Sequence, residues 1–186
     1  MLATSLRAGV IKVLLNTNPE EPLESFHSLK FNTVKTFNQN TEFGFEVFHP
    51  DGGEVEYSEI FSEFMADNKL GIPHFNDNFK VQGIESDEPE LMVFVPNIKK
   101  ETCEQLITDV RSSETGKKLK YRPIIPKLLS DQSALYNQEK FVGNEHNEPS
   151  ANPVFLDHPD LLSNVYSCFL SNDGQTYVFY SVIFGR

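Results

Sequence analysis

The stretch VYSCFLSNDGQTYVFYSVIF, residues 165–184, consists of two β-prone runs around a turn. Residues 165–170 and 176–184 are rich in Val, Tyr and Phe, which favour strands. The residues Ser171-Asn172-Asp173-Gly174 that follow the first run are typical turn formers. The C-terminal end of the chain therefore predicts an antiparallel hairpin, and a stable sheet needs further strands upstream of it.

A second hairpin is predicted near the middle of the N-terminal half. Residues 43–48 read as a strand, and His49-Pro50-Asp51-Gly52-Gly53 is a turn sequence. Residues 54–57 then predict the returning strand.

Two more strands are predicted at residues 79–81 and 91–95, separated by the acidic stretch 85–90. Pro96 ends the second of them, because proline cannot donate to a sheet ladder. Residues 58–78 hold Gly71-Ile72-Pro73 and three Asn, a composition that predicts a surface excursion.

Two helices are predicted from apolar residues at three- and four-residue spacing. The first covers residues 1–16, and we expect its stripe to pack against the sheet of the same molecule or against a second copy. The second follows Asn97, whose side chain is a candidate N-cap. Residues 22–38 have only partial helical register and are interpreted as helix or irregular structure. The apolar stripes contain Leu2, Leu6, Val10, Val13 and Leu14 in the first helix, and Ile98, Cys103, Leu106, Ile107 and Val110 in the second.

Length and composition predict one α+β domain over residues 1–186: an N-terminal helix, an antiparallel sheet and a second helix packed on that sheet. The 39% hydrophobic and 23% charged residues are ordinary for a globular protein. Residues 112–159 are polar and contain seven Gly or Pro, which predicts a long loop region before the C-terminal hairpin.

The charge balance argues against two classes of partner. Sixteen Lys and Arg against 27 Asp and Glu give a net charge of −11. Such a surface repels nucleic-acid backbones and anionic lipid, so we expect no nucleic-acid partner. The sequence also has no apolar window of the roughly 18 residues that a membrane-spanning helix needs.

No pattern of catalytic or metal-ligating residues stands out, so the sequence predicts no enzyme, no metal site and no cofactor. The histidines are scattered among turn residues and form no zinc-hydrolase motif. The acidic runs at residues 85–90, 157–160 and 172–174 are interpreted as solvated surface, and a calcium site built from two of them is the alternative. The five histidines are His27, His49, His74, His146 and His158.

Cys103 and Cys168 are the two cysteines of the chain. Both have hydrophobic neighbours, and a bond between them would close a long loop and stabilise the fold. Two buried free thiols in a cytosolic protein are the alternative, and the residues alone do not favour one interpretation over the other.

The order of these elements resembles bacterial prepilin-type proteins, that is, type IV pilin-like or type II secretion pseudopilin-like subunits. The matching parts are FEVFHPDGGEVEY, then VQGIESDEPELMVFVPNI with the helix KKETCEQLI, and finally YSCFLSNDGQTYVFYSVIFGR. They cover about residues 43–110 and 165–186. The resemblance implies a non-enzymatic structural subunit, the globular head of an envelope filament or secretion pseudopilus, in which other pilin or pseudopilin subunits are the partners.

The resemblance also implies an extracytoplasmic location, in the periplasm, the cell envelope or a surface filament, and a Cys103–Cys168 disulfide. The family pattern begins with a Gly-Phe-Thr-Leu-x-Glu cleavage site and about twenty apolar residues, which this sequence does not contain. Residues 2–15 then correspond to the end of the family's long helix nearest the head. Without the upstream segment we expect a soluble monomer or weak dimer that does not polymerise.

Two other function classes are alternatives. The first is a secreted or periplasmic binding module or adhesin that uses residues 112–159 as its recognition loop. The second is a small hydrolase that uses Asp157, His158 and Asp160, for which a concave pocket around the histidine would be required.

Overall fold

The computed structural model describes residues 2–16, 29, 31, 47–81, 83–84, 90–116, 125, 127, 154–156, 164–171 and 174–184. These residues form an α+β fold of two helices and one sheet. The helices are α1 (Leu2–Asn16) and α2 (Lys100–Thr115), with a short 3-10 helix at Ser62–Phe64. The strands are β1 (His74–Val81), β2 (Glu90–Val95), β3 (Val154–Leu156), β4 (Tyr166–Leu170) and β5 (Tyr177–Phe184).

The sheet has the strand order β3-β1-β2-β5-β4. The neighbouring strands β1, β2, β5 and β4 pair antiparallel, as predicted. At the edge of the sheet, β3 pairs parallel to β1. The prediction of a purely antiparallel sheet is therefore wrong at that edge. A three-residue run such as Val154–Leu156 carries too little pattern to be detected inside the polar region 112–159.

The C-terminal hairpin is confirmed. Strands β4 and β5 pair from Tyr166↔Ser181 to Leu170↔Tyr177, and the Ser171 amide donates to the Thr176 carbonyl at 2.8 Å. β5 also pairs with β2, so this hairpin supplies one of the two central strands. The other central strand, β2, is buried at every position, in agreement with its continuous apolar sequence.

Strand β1 begins five residues before the predicted start, at His74 rather than Phe79. The prediction of a surface excursion through residue 78 is wrong for residues 74–78, because pairing with β2 holds this polar segment in the sheet. Glu90, assigned from sequence to a solvated acidic run, is fully buried in β2. The other residues of that run lie outside the described part of the chain.

Helix α1 is confirmed, and it packs on one face of the sheet. Leu6, Val10 and Val13 are fully buried against Leu91 and Ile183, among others. The expected packing of this stripe on the sheet of the same molecule is thus confirmed for these three residues.

Helix α2 lies on the same sheet face and begins two residues later than an Asn97 cap would require. Its N-cap is Lys99, without a side-chain capping bond, and Asn97 has a φ of 62°. The capping prediction is wrong because Asn97 makes the left-handed turn out of β2, a conformation that asparagine tolerates. Its carbonyl accepts the Ala66 amide at 2.8 Å.

The predicted hairpin of residues 43–57 is confirmed only in its turn. The His49 carbonyl accepts the amides of Gly52 and Glu54, each at 3.0 Å. Residues 54–59 belong to no strand, and residues 47–48 lie within the turn itself. The apolar pattern there reflects burial of Val47 and Val55 in the cluster under α1. Residues 43–46 lie outside the described part, as do most of residues 22–38.

The opposite face of the sheet carries its own apolar cluster, which contains none of the described side chains of α1 or α2. It consists of Val81, Met92, Phe94, Phe169, Val178 and Tyr180. Alternation along the strands separates this set from the residues beneath the helices.

Candidate functional site

The structure brings Cys103 and Cys168 together as a disulfide. Cys103 lies on α2 and Cys168 on β4, with their Cα atoms 5.4 Å apart, a separation typical of disulfides. Both side chains are fully buried in a cluster with Val95, Ile98 and Ile107. Because the sulfur atoms have no access to solvent, the bond acts as a structural link between helix and sheet.

An open apolar groove lies beside this link and has a volume of about 280 Å³. Its floor is the side chains of Val95 and Phe179, from the two central strands. One wall is a stripe on and before α2, and the other belongs to the segment that follows the His49 turn. The first wall contains Ile98, Thr102 and Leu106, and the second contains Ile60 and Phe64.

The second wall is held in place by backbone hydrogen bonds. Ile60 and Gly71 exchange two bonds of 2.8 Å, which close residues 60–71 into a compact loop, called the 60–71 loop below. Gly71 lies against Met65 and Ile60, so a Cβ atom there would meet the Met65 sulfur at 2.5 Å. Met65 is buried beneath the loop and bridges to Ile98.

Lys99 ties the 60–71 loop to the start of α2. Its amide donates to the Phe64 carbonyl at 2.9 Å. Its Nζ atom donates to the Glu63 carbonyl at 2.8 Å and to Asn68 Oδ1 at 3.0 Å. The groove is therefore bounded by a loop held by hydrogen bonds and a helix held by the disulfide. Its shape is preorganised in the absence of a partner.

Three described acidic residues lie close in sequence to residues that line the groove. Glu59 and Glu63 directly precede the groove residues Ile60 and Phe64, and both are exposed. Asp109 lies one turn beyond Leu106 on α2 and accepts a hydrogen bond from Gln105 at 2.8 Å. Burial, and secondly the charge of Glu59, raise the pKa of Tyr57 above its ordinary value. This part of the surface thus joins an apolar recess to negative charge.

The groove has little capacity for catalysis. Thr102 supplies the one polar side chain among the described residues that line it, and these include no general acid or base. Its volume falls just below the roughly 300–1,000 Å³ of small-molecule sites, and its described lining lacks the convergent polar groups that orient a substrate. The arrangement is suited to holding apolar side chains.

The histidines for which the structure gives a position are not part of this groove. His49 lies in its predicted turn, where its Nδ1 atom accepts the Asp51 amide at 3.0 Å. His74 is buried on β1, which corrects its assignment to a turn. The remaining histidines and the hydrolase candidates Asp157 and Asp160 lie outside the described residues, as do the acidic runs 157–160 and 172–173.

Over the described ranges, no group of three or more His, Cys, Asp or Glu side chains could hold a metal ion. The same part of the chain contains no helix long and apolar enough to cross a membrane.

A second exposed apolar surface lies on α1, opposite the sheet. Ala8, Ile11 and Leu15 follow one another at three- and four-residue spacing and are exposed, Leu15 to 77%. We call these three residues the outer stripe of α1. On either side of it, Arg7 lies over the Phe184 ring at 5.4 Å and Lys12 pairs with Glu54 at 2.6 Å.

Sequence reasoning missed both surfaces. The groove is formed by segments that are far apart in sequence, since Ile60 and Leu106 are separated by 46 positions. No local sequence motif therefore predicts it. The available signal was the density of large apolar residues, such as Phe61, Phe64, Leu70 and Ile72, in a segment with turn composition. On α1, Ile11 and Leu15 lie outside the predicted apolar stripe. Their positions were sufficient to indicate that the helix has a second apolar side.

Comparison with known proteins gives no relative: no family model, no curated protein and no solved structure matches this chain.

Proposed function

We propose that this protein is a non-enzymatic structural subunit of an extracytoplasmic assembly, the globular head of a pilin-like or pseudopilin-like protein. Its partners in this proposal are other subunits of an envelope filament or secretion system. The proposal rests on the element order of the sequence and on one feature of the structure, the two apolar sides of α1.

A helix that is apolar on one side needs one packing partner, whereas a helix apolar on two sides is suited to burial between two. The sheet covers Leu6, Val10 and Val13. Ile11 and Leu15, on the outer stripe of α1, remain 39% and 77% exposed. A neighbouring subunit that covers the outer stripe would bury this apolar area, and burial of apolar area stabilises association by about 25 cal/mol per Å² before the costs of association.

The disulfide supports the extracytoplasmic location. Disulfides persist in oxidising compartments and are rare in the reducing cytosol. The Cys103–Cys168 bond lies in a fully buried cluster, as is typical of a structural rather than a catalytic bond.

The experiment is a substitution in the outer stripe, tested in cells that produce the protein. When the family's upstream apolar segment is attached, the wild-type chain is expected in a high-molecular-mass envelope fraction. Leu15→Lys with the same segment is expected to leave that fraction, because a buried unpaired charge opposes packing. Leu70→Lys is the matched control, since Leu70 is also exposed, to 54%, but lies in the 60–71 loop.

The proposal predicts that Leu70→Lys still assembles. With that segment attached, a wild-type chain that fractionates as a free monomer in the cytoplasm contradicts the proposal, and so does a Leu15→Lys chain that assembles as well as the wild type.

A further inference from the structure

We infer that the apolar groove between α2 and the 60–71 loop is a docking site for a segment of another protein that presents apolar side chains flanked by Lys or Arg. The inference uses a different surface from the outer stripe of α1, and it does not depend on the proposed function.

The distribution of exposed apolar residues points to this region. Eight large hydrophobic side chains are exposed among the described residues, and four of them lie between residues 61 and 72. Such a concentration next to an apolar recess marks an interaction surface rather than ordinary surface scatter. Phe64 belongs to both, because it lines the groove and is 40% exposed.

The shape of the groove favours a peptide segment over a small molecule. The groove is open, has a volume of about 280 Å³ and has an apolar floor of Val95 and Phe179. It therefore fits a few protruding side chains of a larger partner, which is how buried anchors act in protein interfaces. Its walls are held by the disulfide and by the Lys99 bonds, so binding loses little entropy in ordering them.

Charge selects the partner. All four charged residues between positions 54 and 63 are acidic, and two of them, Glu59 and Glu63, adjoin the groove residues Ile60 and Phe64. Of the basic residues in this region, Lys99 is engaged with the Glu63 carbonyl and Asn68, and Lys100 lies 3.9 Å from Glu104. Lys69 is exposed in the loop itself, where acidic residues outnumber it. A basic segment is attracted to this surface, whereas a second copy of a chain with net charge −11 is repelled by it.

The test is a fluorescence-anisotropy titration of the full chain with a short labelled helical peptide of leucine and lysine. A peptide with the same leucine positions, but glutamate in place of lysine, is the matched probe. We expect the leucine–lysine peptide to bind at least about tenfold more tightly, because complementary charge and apolar anchoring act together.

Three neutral substitutions test whether the peptide binds in the groove. Phe64→Ser removes an anchor contact and is expected to weaken binding by about tenfold or more. Val165→Ser, exposed to 53% just before β4 and outside the groove, is expected to change it less than about twofold. Thr102→Phe fills the groove from the α2 side and is expected to weaken binding even if Phe64→Ser perturbs the loop. Leu15→Lys, on α1, is expected to bind as the wild type does.

Three results would overturn the inference. The first is equal binding of the lysine and glutamate peptides, and the second is unchanged affinity in both Phe64→Ser and Thr102→Phe. The third comes from sedimentation equilibrium: a wild-type dimer that Phe64→Ser dissociates and Leu15→Lys does not would mean that a second copy occupies the groove.

Discussion

Glu90 carries a carboxyl group buried at the first position of a central strand, and its Oε2 atom accepts the Val81 amide at 2.9 Å. The bond fastens the end of β1 to the start of β2, beside the register shift between Asn76 and Phe79. Burying a carboxyl group is costly unless it is hydrogen-bonded, and the Val81 amide supplies one such bond.

The first prediction concerns this acceptor. Glu90→Leu removes it, and we expect a loss of about 1–3 kcal/mol in the free energy of unfolding, the cost of a buried donor left without its partner. Glu90→Gln retains a carbonyl oxygen and is expected to lose less. Urea unfolding of both variants measures the difference, and equal losses would mean that the Val81 bond contributes nothing.

Tyr180 gives the second prediction, a pH dependence. Burial raises the pKa of Tyr180 above its ordinary value of 10.0. The folded state keeps the phenol proton at a pH where the unfolded chain has lost it. This contribution to stability is therefore fully present below about pH 10 and is lost as the pH rises further, by up to about 1.4 kcal/mol per pH unit.

Tyr180→Phe should remove this alkaline loss. At neutral pH the variant should be less stable by about 1 kcal/mol, because the Tyr180 hydroxyl donates to the Asn164 carbonyl at 3.1 Å. Urea unfolding between neutral pH and about pH 11 tests both effects. Tyr166→Phe, at an exposed position of β4, is the control, and a parallel decline in wild type and Tyr180→Phe would exclude Tyr180 as the cause.

At the scale of the secondary-structure elements, Gly9 allows α1 to approach the turn of residues 47–53 closely. A Cβ atom at Gly9 would overlap the Val55 side chain and meet the Gly53 carbonyl oxygen at 3.2 Å. The helix therefore lies directly against the turn of residues 47–53, and the Lys12–Glu54 pair lies at the same contact.

The third prediction is that Gly9→Ala destabilises the fold. On an open helix surface this change would gain about 1 kcal/mol from helix propensity. Here we expect a net loss of about 1–3 kcal/mol, because α1 must move off the turn. Ala8→Gly, one residue away on the exposed side, should cost only about the 1 kcal/mol of propensity. Thermal unfolding of the two variants compares them, and a more stable Gly9→Ala would show that the turn yields without cost.

Elements with a strong local pattern were predictable, and those set by distant partners were not. α1, β2, β4 and β5 have clear apolar periodicity or runs, and each was predicted within a few residues. Residues 74–78 lack such a pattern, and their strand conformation depends on pairing with β2. The arms around the His49 turn have the pattern of strands, but their apolar residues pack under α1 instead.

The apolar groove shows the same limit. Each of its walls has a local explanation, yet the recess exists only because Ile60 and Leu106 are brought over Val95 and Phe179. The cysteine pairing required the fold for the same reason: residues 65 positions apart meet because α2 packs on β4.

Across the protein as a whole, the two exposed apolar surfaces differ in charge. Leu2–Asn16 contains Arg7 and Lys12 and no acidic residue, whereas the groove adjoins Glu59 and Glu63. Because the net charge is −11, two copies of the chain repel each other at either surface.

The fourth prediction is an opposite response of the two surfaces to salt. Raising the ionic strength from about 0.05 M to about 0.5 M screens exposed charges. Self-association through the outer stripe of α1 should strengthen, because copies repel one another less, and binding of the leucine–lysine peptide to the groove should weaken. Sedimentation and anisotropy across the salt series measure the two, with Leu15→Lys and Phe64→Ser as the respective controls. Responses of the same sign would contradict this assignment of charge.

The disulfide also determines whether the protein stays in one piece after its backbone is cleaved. Cys103 and Cys168 close a ring of chain that holds most of α2, the whole of β3 and the start of β4. A protease that cuts one peptide bond inside this ring produces two polypeptides that remain one covalent molecule, with α2 still joined to the C-terminal hairpin. Nicked protein should therefore migrate as a single species on a non-reducing gel and separate into two fragments only after reduction.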